Sequence, residues 1–340
     1  MTDNRFCSNC GSANSADAKF CSNCGADLKS FQPPATPKKK PNTWIWVIAV
    51  IGLCLVCLLV IAGLYAVGKM TGMDLPNPFA SATPTFTATP TITPTPTLGI
   101  GSTNLRTRDG MLELYVPAGS FMMGSESGDS DESPVHQVTL DAYWIDQTLV
   151  TNAMYAMCVD AGKCEPPKET KSHTRDSYFG KSQFDNYPVI YISWSNASDY
   201  CTWVGGRLPT EAEWEKAARG TDGRTYPWGE GISSNLANYN KKIDDTTEVG
   251  SYPAGASPYG ALDMAGNVWE WVHDWYSATY YEISPSFNPT GPSSGDLRVL
   301  RGGSMVSGSD LLRSASRSTN NPNNKGYGLS FRCVRDASLP

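Results

Sequence analysis

The chain has 340 residues, 40% of them hydrophobic and 18% charged, with a formal net charge of −6. This balance supplies no basic field for a phosphate backbone and excludes electrostatic nucleic-acid binding as the main role. The length exceeds what one small core needs, so a chain of several parts is expected.

Residues 1–30 carry Cys7, Cys10, Cys21 and Cys24 as two CxxC pairs, each followed by glycine. Each CxxC turn aims two sulfurs inward, and four thiolates close a tetrahedral structural Zn²⁺ site with no open position for catalysis. The spacing predicts a zinc ribbon that needs its metal to fold. Some zinc ribbons bind nucleic acid, but the reading preferred here is a structural or protein-docking module with a cytoplasmic protein as candidate partner. Residues 31–42 form a basic juxtamembrane linker containing Lys38, Lys39 and Lys40. Over residues 43–68 the run from Trp44 to Val67 has no charged residue, enough helix to cross a hydrocarbon core of about 30 Å. Lysines before the run and only Lys69 close after it place the ribbon in the cytoplasm and the remainder outside. Residues 69–103, with Thr83-Pro84-Thr85 and Thr93-Pro94-Thr95-Pro96-Thr97, read as an extended Thr/Pro stalk.

Residues 104–340 turn globular. Glu113 to Gly119 reads as a strand leading to a turn, and Val135 to Leu140 alternates as a half-buried strand does. Thr151 caps a helix through about Asp160, and Ser195 caps one carrying Cys201 and Trp203. Thr210 with Glu213 forms a capping box for a helix from Glu211 to Arg219, closed by Gly220. The Gly/Asn/Ser-rich remainder has too little periodicity for regular structure. Glu126, Asp129, Asp131 and Glu132 read as a solvated acidic loop, and the histidines His136, His173 and His273 have no metal spacing. The fold class is α+β with many loops, pinned by aromatic packing and disulfides. No P-loop or HExxH motif is present.

Several motifs occur together: Val116-Pro117-Ala118-Gly119, Arg207-Leu208-Pro209-Thr210-Glu211, Tyr226-Pro227-Trp228-Gly229, Gly266-Asn267-Val268-Trp269-Glu270-Trp271, Arg301-Gly302-Gly303-Ser304 and Gly328-Leu329-Ser330-Phe331-Arg332-Cys333. In this order they resemble the formylglycine-generating enzyme family, the sulfatase-modifying factors. The resemblance covers Met111 to Asp336 and implies a variant of the C-type lectin-like fold with little regular secondary structure.

The resemblance implies a disulfide between Cys201 and Cys333, while Cys158 and Cys164 are close enough in sequence for a second bridge. It implies calcium at Asp263, Gly266, Val268 and Glu270, and a second calcium site from Asn238, the Tyr239 carbonyl and Asp244 or Asp245. Catalytic members hold copper(I) with a cysteine pair, a soft-metal site. The matching positions here are Ser307 and Leu312, or Leu311, so no copper and no catalytic residue is expected. The polar residues of the C-terminal segment then read as a ligand face: Ser307, Ser309, Asp310, Ser316, Ser318, Thr319, Asn320, Asn323, Asn324, Lys325 and Tyr327. This pattern is similar to the variable regions of diversity-generating retroelement proteins. The expected function is extracellular recognition of a protein or other ligand by a single-pass surface protein of bacterial type. A formylglycine-generating or related oxidative enzyme is the alternative, and a sensor signalling through the zinc ribbon a third reading.

Overall fold

The computed structural model describes residues 4–6, 13–15 and 98–337. The expected zinc ligands Cys7, Cys10, Cys21 and Cys24, the linker, the membrane-spanning run and most of the stalk lie outside them. Among the described residues, no helix is long and apolar enough to cross a membrane. The chain divides into two units, residues 1–92 and 93–340. In the first, β1 (Asn4–Phe6) and β2 (Ala13–Ser15) pair antiparallel with Phe6 opposite Ala13.

Among the described residues, the second unit holds three sheets. Strands β3 (Thr103–Leu105), β4 (Leu112–Val116), β7 (Tyr143–Asp146) and β12 (Val334–Asp336) form an antiparallel sheet in the order β12-β7-β4-β3. The last strand of the chain is thus stitched to its first half, with Val334 opposite Ile145. Strands β5 (Gly119–Met123) and β6 (His136–Leu140) form a hairpin whose buried residues alternate along β6 as the sequence predicts. The third sheet has the order β10-β9-β8-β11, from β8 (Trp269–Trp275), β9 (Arg298–Arg301), β10 (Ser318–Asn320) and β11 (Leu329–Ser330). β8 escapes a reading by alternation because Glu270, Trp271 and Val272 are buried in succession, its two faces both being covered.

Helix α1 (Asn152–Asp160) is capped by Thr151, whose side chain accepts from the Met154 N–H. Helix α2 (Trp194–Trp203) starts two residues earlier than the sequence suggests. Ser193, not Ser195, is its N-cap, because Asn196 at the third helical position returns the hydrogen bond. Helix α3 (Glu211–Arg219) has the expected Thr210–Glu213 capping box and ends at Gly220, with φ 69°. A short helix, α4 (Tyr280–Ile283), follows β8.

All nine residues of α3 are buried, five of them charged at neutral pH, so each charge needs a partner. Arg301 donates to Glu211 at 3.0 Å and to Glu215 at 2.6 Å, Arg317 reaches Glu211 at 2.7 Å, and Arg207 clasps Glu213. The Lys216 ammonium donates to the Pro117 and Gly119 carbonyls, both at 2.8 Å. Around this ionic axis lie two apolar clusters. One joins Ala212, Trp214 and Ala217 to Leu114, Val116, Phe121, Val138 and Ile145. The other packs α1 and α2 against Trp271, Leu300 and Phe331. Both expected bridges are present there: Cys158–Cys164 and Cys201–Cys333, the latter joining α2 to the end of the chain across 132 residues.

The acidic loop is not wholly solvated. Glu132 is fully buried and takes both ends of the Arg313 guanidinium at 2.6 Å, and Asp131 accepts from the Tyr276 hydroxyl.

Candidate ligand-binding face

β9 delivers Arg301 into the core, and two left-handed glycines then redirect the chain: Gly302 at φ 91° and Gly303 at φ 77°. Both need the absence of a side chain. A Cβ on Gly302 would meet Trp214 at 3.1 Å, and one on Gly303 would meet Leu312 at 2.9 Å. The loop that follows closes on itself: the Ser304 N–H donates to Ser307 Oγ at 2.9 Å, and the two hydroxyls lie 3.2 Å apart. It is then sewn to a neighbouring loop, because the Asn240 N–H donates to the Ser307 carbonyl and the Lys241 N–H to the Met305 carbonyl. Tyr226 donates from its hydroxyl to the Ser309 carbonyl at 3.2 Å. Leu312 is wholly buried with Tyr226, Ala237 and Ala265.

The chain then enters β10, the edge strand of its sheet, and turns through residues 321–328 towards β11. Asn320 Oδ1 accepts from the Asn321 N–H and the Asn324 side-chain amide, which stiffens the turn. Tyr327 stacks on His173 with ring centroids 4.3 Å apart and an interplanar angle of 18°. Lys325 lies 3.8 Å from Glu165, and the Tyr191 N–H donates to the Gly326 carbonyl. Tyr191 itself holds φ 61°, a left-handed conformation unusual for an aromatic residue. Its phenol is pushed up by burial, with the charges of Glu169 and Asp245 adding to the effect.

Of the residues read as a ligand face, Asp310, Asn323 and Asn324 are exposed, and Ser309, Ser318, Thr319, Asn320, Lys325 and Tyr327 are half-buried. Two depart from that reading. Ser316 is wholly buried in the turn between Arg313 and Arg317, and Ser307 is almost so, its hydroxyl turned back onto Ser304. Conversely, His173, Tyr191 and Glu165 join the face from loops more than a hundred residues upstream. Spacing along the sequence holds no signal for that approach.

Residues 102–337 match the family model of the sulfatase-modifying factor enzyme 1-like domain, and residues 6–28 that of a zinc-ribbon domain. The chain belongs to the sulfatase-modifying factor family. It is 36% identical over 292 residues to the formylglycine-generating enzyme of Streptomyces coelicolor, covering 69% of this chain and 92% of that enzyme. It is 42% identical over 237 residues to the serine/threonine-protein kinase pkn1 of Chlamydia caviae, covering 65% of this chain and 37% of the relative. The chain thus spans well under half the length of that curated relative. Among solved structures, PvdO from Pseudomonas aeruginosa superposes with a TM-score of 0.61 at 26% identity, covering 71% of this chain and all of PvdO. Treponema denticola variable protein 1 shares the fold, with a TM-score of 0.59 at 24% identity and the same coverage.

Within the family framework, the copper positions do not fit the metal. Ser307 offers a hydroxyl, Leu312 a hydrocarbon side chain packed in an apolar cluster, and Leu311 another. The four cysteines among the described residues, Cys158, Cys164, Cys201 and Cys333, are all spent in disulfides, which leaves copper(I) no thiolate there.

The two calcium sets behave differently. Asp263 is buried and its carboxyl is pushed up to about 6, first by burial; the Gly250 N–H and Arg332 oppose this, and Glu270 adds to it. Glu270, also buried, takes the Arg332 guanidinium at 2.7 and 3.0 Å. Arg332 thus pairs with Glu270 through both carboxylate oxygens and acts on Asp263 only through its charge, with Gly266 and Val268 on the intervening turn. At the second set, Asn238 Oδ1 is buried without a partner, and the Tyr239 carbonyl accepts from the Lys242 N–H. Asp245 does not fit. Its Oδ2 accepts from the Ser172 and Thr174 hydroxyls and the Thr174 N–H, while Oδ1 faces the Thr246 N–H and Arg175 at 3.0 Å. Burial works to raise its carboxyl, but these donors hold it below the ordinary value. Asp244, the other candidate, is partly exposed, 3.9 Å from His173.

Proposed function

We propose that this sulfatase-modifying-factor domain is a non-catalytic recognition module, displayed outside the cell on a Thr/Pro stalk and a single membrane helix. The observation that carries the reading is the pair Ser307 and Leu312: a hydroxyl bonded to Ser304 and a buried isobutyl group replace two soft-metal ligands. Without that pair the family's oxygen-dependent oxidation of a substrate cysteine has no copper site. What remains at the same place is a stiffened polar and aromatic surface: Asn320, Asn324, Lys325, and Tyr327 on His173. Rigid aromatic and amide groups of this kind bind with little ordering cost.

In this reading the fold is a variant of the C-type lectin-like type, Zn²⁺ in the N-terminal ribbon is structural, and calcium occupies Asp263, Gly266, Val268 and Glu270. The ribbon lies in the cytoplasm, where a protein partner would dock, and nucleic acid is not a ligand. The kinase activity named for pkn1 belongs to a protein of which this chain matches the smaller part.

The test uses the full-length chain in detergent with Cu(I), O₂ and a cysteine-containing sulfatase-motif peptide, followed by mass spectrometry beside an active formylglycine-generating enzyme. No loss of the thiol is expected. Conversion to formylglycine, or a stoichiometric thiol-dependent copper site, would overturn the reading in favour of the enzyme.

A further inference from the structure

A cavity of about 720 Å³ opens beside the start of α3, lined by none of the residues of the ligand-binding face. Its size is that of small-molecule sites, roughly 300–1,000 Å³. One wall is apolar, from Tyr115, Ala118, Leu140, Ala142 and Pro289. The other is charged and unbalanced: the single guanidinium of Arg207 faces the carboxylates of Glu213, Asp336 and Asp141. Arg207 is spent within the protein, clasping Glu213 with two bonds of 2.7 Å and Asp336 Oδ1 with a third.

The remaining acidic groups are held in place. The Asp141 N–H donates to Asn288 Oδ1, and the Asn288 amide donates back to Asp141 Oδ2 at 2.8 Å. The Ala337 N–H donates to the Ala142 carbonyl, which brings Asp336 to the rim that carries Asp141. Both carboxylates lie at the solvent-exposed rim, Asp336 82% exposed, and among the described residues Asp141 Oδ1 and Asp336 Oδ2 accept no hydrogen bond from the protein. His273 also lines this cavity. Burial, then Arg298 and Arg207, hold its imidazole below the ordinary value.

We infer that this cavity is a second binding site, for a primary ammonium carried on a short apolar stem. The stem lies along Leu140, Tyr115 and Pro289, and the ammonium, with three N–H donors and no acceptor, meets Asp141 Oδ1 and Asp336 Oδ2. An anion is repelled by the same carboxylates, and a neutral alcohol gains no Coulomb attraction from them. Such a head group comes either from a free amine or from the lysine side chain of a peptide.

Ligand-observed NMR titration of the full-length chain in detergent tests this, with butylammonium, 1-butanol and butyrate as probes. Butylammonium is expected to saturate, with the alcohol and the carboxylate at least tenfold weaker. Asp336→Asn and Asp141→Asn should each weaken the ammonium severalfold and together abolish its binding. Asn320→Ala, on the other face, should leave it unchanged. Nα-acetyl-lysinamide beside cadaverine separates the sources: tighter binding of the first identifies a peptide side chain, of the second a free amine. Equal binding of butylammonium and 1-butanol on the unmodified chain would sink the proposal, as would full binding by a folded Asp141→Asn/Asp336→Asn variant or saturation by no ammonium probe.

Discussion

Arg301 and Glu215 meet at 2.6 Å with neither side chain reached by solvent. Glu211 on the previous turn of α3 shares the same guanidinium, and Arg219 neutralises Glu215 from the other side. Removing one member strands the others in a medium that cannot solvate them. Arg301→Met is therefore expected to lower the unfolding free energy by about 3–5 kcal/mol. Urea denaturation reads the change, and a loss below about 1 kcal/mol would mean that water reaches the pair.

Lys216 gives α3 a pH dependence of known sign. Burial pushes its ammonium down to about 8 in the folded chain, below the value of about 10.5 for the unfolded one. Between those values the unfolded chain binds more protons, so this residue makes stability rise with pH from about 8 towards 10.5. The contribution reaches at most about 1.4 kcal/mol per pH unit. Denaturation at a series of pH values, wild type minus Lys216→Met, isolates it. A flat difference from pH 8 to 9.5 would contradict the burial of the charge.

The two disulfides close loops of very different length, with separations of 132 and 6 residues. In the chain-entropy account the longer bridge is worth about 3 kcal/mol more. The double variant Cys201→Ser/Cys333→Ser should thus unfold at clearly lower urea than Cys158→Ser/Cys164→Ser. Reversal of that order would point to native-state packing, not loop entropy, as the source of stabilisation.

Calcium offers a fourth measurement. If a hard cation settles the charge shared by Asp263 and Glu270, Ca²⁺ added after chelation raises the thermal midpoint, by the equivalent of about 2.7 kcal/mol at a hundredfold excess over the dissociation constant. Asp263→Asn should remove that response. Asp245→Asn should preserve it while weakening the loop that Ser172, Thr174 and Arg175 tie down. An unchanged midpoint with calcium would dismiss the site.

Local rules carried the sequence far where a pattern is short and reciprocal. The Thr210–Glu213 box and Gly220 bound α3 to the residue. At α2 the same rule had two serines to choose between, and the choice rested on Asn196 returning the bond to Ser193. The family motifs gave the Cys201–Cys333 pairing, which no spacing implies. What stayed hidden was set by tertiary approach. Asp245 looks like a calcium ligand until Ser172 and Thr174, some seventy residues away, take its oxygens. Ser316 looks like a surface serine until Arg301 and Arg317 draw the neighbouring chain inward onto α3. The cavity at Asp141, Arg207 and Asp336 joins three distant segments, and its acidity is visible only once Arg207 is seen to be occupied.

The closing segment, residues 329–336, touches several elements made before it. β11 lies along β8, Arg332 enters the core at Glu270, Cys333 locks onto Cys201, and β12 completes the sheet beside β7. A chain synthesised from its N-terminus meets these partners in reverse: each waits, uncovered, for the last piece to arrive. The contacts that close this domain are thus made by residues 329–336 with segments as far back as β7.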